Sequence, residues 1–96
     1  MRTIKYTNKF KRDYKREQSG KSRKHGEQLD RELTAVVSLL AADVVLPRGY
    51  FDHPLGGDWK DFRDCHLKPD LVLIYRKPDA ETLELVRFGS HSELGL

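Results

Sequence analysis

The spacing of apolar residues changes along the chain, and each change marks an element. Arg2, Ile4 and Tyr6 alternate with Thr3 and Lys5, which predicts a short strand over residues 2–6. Thr7 or Asn8 then offers a side-chain oxygen to the unpaired amides that open a helix. In that helix Phe10 and Tyr14, four apart, form a narrow apolar stripe, while Lys9, Lys11, Arg12, Lys15 and Arg16 cover the rest. Ser19-Gly20-Lys21-Ser22 is turn chemistry and ends it. A second helix, from near Gly26, carries Leu29, Leu33, Val36, Val37 and Leu40 at spacings of three and four. Glu27 and Asp30 are expected in its first turn, where the helix dipole favours carboxylates. The pattern stops by Asp43, ahead of Pro47, and the short polar link between the helices implies an antiparallel hairpin.

Beyond Pro47 the period shortens to two. Leu46-Pro47-Arg48-Gly49-Tyr50 reads as a loop and Gly56-Gly57 as a turn. A strand then runs from about Trp59 to Leu67, with Phe62, Asp64 and His66 on one face and Arg63, Cys65 and Leu67 on the other. Leu71-Val72-Leu73-Ile74-Tyr75 is apolar on both faces and therefore a central strand. A last strand covers Thr82–Phe88, and Gly89-Ser90-His91 begins a short tail. Short turns force antiparallel neighbours. The reading is an α+β fold, ordered β-α-α-β-β-β: an antiparallel sheet of about four strands with a two-helix hairpin packed on one face. The other face is left partly open, with Asp64 and His66 to line it.

Length and composition narrow the choice. Residues 1–96 make a single domain with one core. No apolar run approaches the ~20 residues that span a bilayer, and Met-Arg-Thr-Ile-Lys-Tyr lacks the apolar stretch of a signal peptide. A single cysteine makes no internal disulfide and fits a cytoplasmic location. The net charge is only +3, yet lysines and arginines crowd residues 5–24 against Asp13 and Glu17 alone. Such a face is either simply solvated or an electrostatic footprint for a polyanion.

The candidate chemistry gathers between Asp52 and His91. Histidines His53, His66 and His91 fall in loops or on the open-face strand, with Asp64 and Asp70 near His66. One imidazole can act as base while another, protonated, acts as acid at neutral pH. A carboxylate beside them can fix a tautomer, and Arg63 and Lys68 can hold an anion or stabilise developing charge. These groups suit cleavage of an RNA phosphodiester. A 2′-hydroxyl is deprotonated, the crowded phosphorane is steadied, and the departing 5′-oxygen is protonated. His25, among basic residues between the helices, reads as an ordinary surface side chain. Cys65 is expected to face the helices as a small buried group, which disfavours a cysteine nucleophile. No close histidine pair starts a zinc site, so no metal or other cofactor is expected.

Asp52-His53-Pro54-Leu55, Gly57-x-Trp59-Lys60, Arg63-Asp64-x-His66-x-x-x-Asp70, Ile74-Tyr75 and Arg87-x-Gly89-Ser90-His91-Ser92-x-Leu94 resemble the YafQ branch of the RelE/ParE toxin superfamily. The likeness covers nearly the whole chain. It implies a bacterial type II toxin that cuts messenger RNA in the ribosomal A site, with the 70S ribosome and its message as partners. It also implies silencing by a small cognate antitoxin of ribbon-helix-helix type, through which alone the pair would touch operator DNA. By the same resemblance His53, His66, Asp70 and His91 are the catalytic set, with Asp64 at its margin; Arg63, from its own charge, is expected in support. His91 and Asp70 would handle protons, and His53 and His66 would hold or polarise the phosphate. Lys9, Lys11, Arg12, Lys15, Arg16 and Lys68 would meet RNA backbone. One departure stands out: the family usually carries an aromatic four residues after the last histidine, where this chain has Gly95. Two rival readings remain at this point, a non-catalytic binding module and a decayed toxin kept as an operon co-repressor.

Overall fold

The computed structural model describes residues 1–20 and 23–96. Five strands, β1 (Thr3–Tyr6), β2 (His53–Pro54), β3 (Arg63–Lys68), β4 (Leu71–Arg76) and β5 (Thr82–Gly89), form one sheet in the order β1-β5-β4-β3-β2. Helices α1 (Asn8–Ser19) and α2 (Arg23–Ala41) lie between β1 and β2, and a one-turn helix α3 (His91–Leu94) follows β5. β1 runs parallel to β5, because the chain crosses over through both helices before the other strands form; every other neighbouring pair is antiparallel.

Most elements form close to where the sequence pattern places them. Thr7 caps α1, its hydroxyl oxygen accepting the Phe10 N–H at 3.0 Å. Phe10, Leu29, Leu33, Val36, Val37 and Leu40 pack from the hairpin onto Cys65, Leu73, Tyr75, Leu83, Leu85 and Phe88 of the sheet. The second face carries a smaller cluster of Val72, Ile74 and Leu94, with Leu55, Trp59, Phe62 and Val86 against it. β4 is buried on both sides, as a central strand must be.

Four details depart from the sequence reading. The sheet has five strands, not about four. β2 is only two residues long, so it has no alternation to read, and it exists through its pairing of His53 with Asp64 and Pro54 with Arg63. As an edge strand it tolerates a proline. β3 starts at Arg63 rather than Trp59, because Gly57–Trp59 forms a 3-10 turn that hands the Phe62 N–H to the Trp59 carbonyl at 2.9 Å. α2 starts at Arg23, upstream of Gly26, so Glu27 and Asp30 are not in its first turn; Asp30 instead accepts the Tyr14 hydroxyl at 2.6 Å. The expected break at Ser19-Gly20-Lys21-Ser22 ends α1 at Ser19, and Lys21 and Ser22 lie outside the described residues. The tail is helical. Ser90 and Glu93 make a reciprocal capping box that starts α3, and Gly95 closes it with φ +71.

Candidate active site

The pleat of β3 sends Asp64 and His66 to one face and Cys65 to the other, into the hairpin core. Burial pushes the Cys65 thiol pKa up, which removes it as a nucleophile. β2 lays His53 directly beside Asp64. β5 ends at Gly89, and the capped start of α3 swings His91 over the same face.

The result is a row of imidazoles with His66 in the middle. Its ring centroid is 5.0 Å from that of His91 and 6.2 Å from that of His53. The outer two rings are pinned through Nδ1. The Nδ1–H of His91 donates to Asp70 Oδ1 at 2.7 Å, and the same oxygen accepts the His91 backbone N–H at 3.0 Å. The backbone and side-chain hydrogen bonds from His91 hold the Asp70 carboxyl below its ordinary pKa, so it stays an acceptor at neutral pH. The Nδ1 of His53 lies 2.6 Å from the Phe51 carbonyl, which can only accept, so this nitrogen carries the proton. With Nδ1 engaged in both rings, Nε2 is the nitrogen left for chemistry.

Asp64 is the floor beneath the row. It is only 2% exposed, and His53, His66 and His91 all act on its charge. Its Oδ1 sits 3.0 Å from His53 Nδ1 but has no aligned hydrogen bond, because that N–H is directed at the Phe51 carbonyl. Desolvation raises the Asp64 pKa, and the nearby imidazoles only partly oppose it. A carboxyl whose folded pKa is raised costs stability as pH climbs past the ordinary carboxylate range, and costs nothing in acid. Asp64→Asn is accordingly expected to melt a few degrees higher than wild type at pH ~7 and no higher at pH ~3, as read by thermal denaturation at both values.

The remaining predicted residues divide. Lys68 is exposed at the end of β3, beside His66. Arg63 is not brought to the imidazoles: the pleat turns it to the opposite face, where its Nε meets Asp52 at 3.3 Å while Asp52 also accepts the Tyr75 hydroxyl at 2.5 Å. On α1, Lys9, Arg12 and Arg16 flank one groove with Arg87, whereas Lys11 and Lys15 border an apolar hollow on the hairpin side. That hollow, about 470 Å³, is the larger cavity but contains no imidazole. Arg16 is engaged within the chain. It meets Asp13 and Glu93, each at 3.2 Å, and donates to the Phe88 carbonyl at 3.1 Å, tying α1 to the helix that carries His91. His25 lines a hollow with Arg16, Leu29, Lys68 and Asp70. Among the described residues no three His, Cys, Asp or Glu side chains are placed to hold a metal ion.

Two contributors went unread in the sequence. Phe51 supplies the carbonyl that orients His53, and its exposed ring stands 5.7 Å from His66. Asp52 anchors the loop to Tyr75. An aromatic beside Asp-His in a loop was the only signal for either. Gly95 has its own explanation, since its left-handed conformation terminates α3 and disfavours a side chain there.

The family described as "Bacterial toxin of type II toxin-antitoxin system, YafQ" matches residues 2–95. The mRNA interferase toxin YafQ of Escherichia coli (strain K12) is 36% identical over 93 residues, covering 97% of this chain and 95% of that protein. YafQ in the E. coli DinJ-YafQ complex superposes with a TM-score of 0.81 at 34% identity, covering 98% of each chain. A metal-bound toxin from Helicobacter pylori is 48% identical with a TM-score of 0.79, covering 98% of this chain and 99% of that one. A match running from the first strand to the glycine that ends the last helix takes in every residue of the imidazole row: the chain belongs to the YafQ family of bacterial type II toxin–antitoxin toxins.

Proposed function

We propose that this toxin is an endoribonuclease that cuts messenger RNA on the 70S ribosome by attack of a ribose 2′-hydroxyl on the adjacent phosphate. The observation that carries the reading is the row of three imidazoles over a buried carboxylate, its outer members oriented through Nδ1. In-line displacement needs a proton removed at one end and delivered at the other, and two oriented imidazoles on either side of a third suit that geometry. His91, backed by Asp70, exchanges a proton at one oxygen. His53 and His66 hold the phosphate and share the remaining proton step, with Asp64 stabilising positive charge on the row. Lys68 and the exposed cations Lys9, Lys11, Arg12 and Lys15 meet RNA backbone.

Support for the activity class comes from the E. coli relative, an mRNA interferase toxin, and support for a protein partner from the complex in which YafQ is bound to DinJ. By extension this chain pairs with a cognate antitoxin, which carries any contact with operator DNA. No described helix is long and apolar enough to cross a membrane, and a ribosome target places the work in the cytoplasm.

Induced expression is expected to arrest growth and truncate messages inside coding regions, as mapped by primer extension. Intact messages during full arrest would contradict the reading. Asp64→Asn, though at least as stable as wild type, should cleave about 10-fold more slowly or worse, because the imidazolium charge loses its nearest counter-charge.

A further inference from the structure

Phe51 is placed at a conformational disadvantage that folding does not require. The residue is 63% exposed and belongs to neither apolar cluster. Its backbone has φ +50 and ψ +40, the left-handed region that side chains with a Cβ rarely adopt. The backbone duties at this position, receiving the His53 Nδ1–H and closing the Arg48–Tyr50 turn, would be met by glycine or asparagine with less strain. The ring is therefore surplus to the fold, and its surroundings indicate its use.

It forms one wall of an open groove of about 380 Å³, lined also by Gly49, His66, Leu67, Lys68 and Pro69. Gly49 leaves its part of the groove free, since no atom lies within 4 Å of where a Cβ would stand. His66 belongs both to this groove and to the imidazole row, so an occupant of the groove adjoins the reacting phosphate. Lys68 puts a cation on the groove's border. A flat aromatic face, an imidazole edge and a cation, side by side, match a nucleotide: a planar base with its phosphate next to it. An apolar peptide side chain would cover the ring but leave Lys68 and the imidazole without partners.

We propose that Phe51 is a stacking platform for a nucleobase of the RNA strand next to the cleaved bond. This rests on the nuclease reading above and adds a substrate-binding residue to it. Base–aromatic stacking is tolerant of base identity and strong enough to matter for substrate orientation.

The test compares wild type, Phe51→Leu, Phe51→Trp and His91→Ala on one message in a translating extract, with initial cleavage rates and melting temperatures. Phe51→Leu keeps an apolar side chain without a π face and is expected to cleave about 5- to 150-fold more slowly, the range that loss of one stacked base produces. Its melting temperature should stay at the wild-type value, since the ring contributes to neither cluster. Phe51→Trp should stay within about 3-fold of wild type because the platform is kept. If Phe51→Leu cleaves like wild type while His91→Ala is inactive, the stacking role is overturned and the nuclease reading stands. If His91→Ala also cleaves normally, the nuclease reading itself falls. If Phe51→Leu cleaves normally but binds the cognate antitoxin more weakly, the ring belongs to a protein interface and the proposal is overturned.

Discussion

His91→Ala is expected to lower message cleavage by about 100-fold or more, the range of a lost general acid or base. The side chain is partly exposed and its principal partner is Asp70, so its removal should leave the fold intact. The backbone N–H of residue 91 still donates to Asp70, which keeps the start of α3 in place. Asp70→Asn is the milder change, about 10-fold, because an amide oxygen still accepts both hydrogen bonds but no longer offers charge to a protonated ring. Initial cleavage rates of both purified variants, alongside unchanged melting curves, check this pair. A protein lacking the His91 imidazole that cleaves at the wild-type rate would remove it from the chemistry.

The second large effect is on stability. Asp13 is 4% exposed beneath the end of β5 and collects four donors: Arg87 Nε at 2.7 Å and Nη2 at 3.3 Å, the Phe88 backbone N–H at 3.0 Å, and Arg16 at 3.2 Å. Asp13→Ala strands the Phe88 N–H and leaves Arg87 without its main partner. The expected cost is about 2–4 kcal/mol, at the low end of a broken buried pair because Arg16 keeps contact with water. In a domain of this size that lowers the melting temperature by about 10–20 °C. The pH dependence follows from the carboxyl's shift. Burial alone would raise its pKa, but the hydrogen bonds from Arg87 and Phe88 and the charges of Arg87 and Arg16 outweigh it, and the net shift is downward. A depressed folded pKa adds stability that is present above the ordinary carboxylate range and lost as pH falls through the folded value. The gap between wild-type and Asp13→Asn melting temperatures should thus be full at pH ~6 and shrink below pH ~4. A gap that stays constant into acid would sever Asp13 from this network.

The same network links stability to the site. Arg16 joins Asp13 on α1 to Glu93, and Glu93 in turn accepts the Ser90 N–H at 2.9 Å to cap the helix that starts with His91. One basic residue of α1, read in the sequence as a cation for RNA, is thus also a strut for an imidazole.

Long, periodic elements were legible because their burial is written into the chain. The stripe from Leu29 to Leu40 repeats at helical spacing, and the run from Leu71 to Tyr75, apolar on both faces and bounded by turn residues, has the length of a buried strand. The alternation through β3 placed Asp64 and His66 on one face and Cys65 on the other. The short elements after α2 were not legible. His53–Pro54 becomes a strand only because β3 is there to pair with it, and Gly57–Trp59 turns although its neighbours suggest a strand. The capping box at Ser90 and Glu93 was visible as Ser-x-x-Glu, yet a one-turn helix buries too little to announce itself by period. In the site, residue types pointed to the imidazoles but grouped Asp64 and Arg63 together, and the structure puts Asp64 under the imidazoles and Arg63 on the opposite face beside Asp52. Burial separates them, and burial depends on the pleat and on what covers it. Phe51 escaped notice because nothing local distinguishes an aromatic that stays exposed from one that joins a core.

In the proposed mechanism oriented imidazoles, rather than an activated water, break the RNA chain. The chemical identity of the new ends tests it most directly. Products of wild-type cleavage should carry a 2′,3′-cyclic phosphate or its opened phosphate on the upstream fragment and a 5′-hydroxyl on the downstream one, and a 2′-deoxy residue at the cut site should block cleavage. Upstream fragments ending in 3′-hydroxyl, with 5′-phosphate downstream and a 2′-deoxy site still cut, would rule out attack by the 2′-hydroxyl.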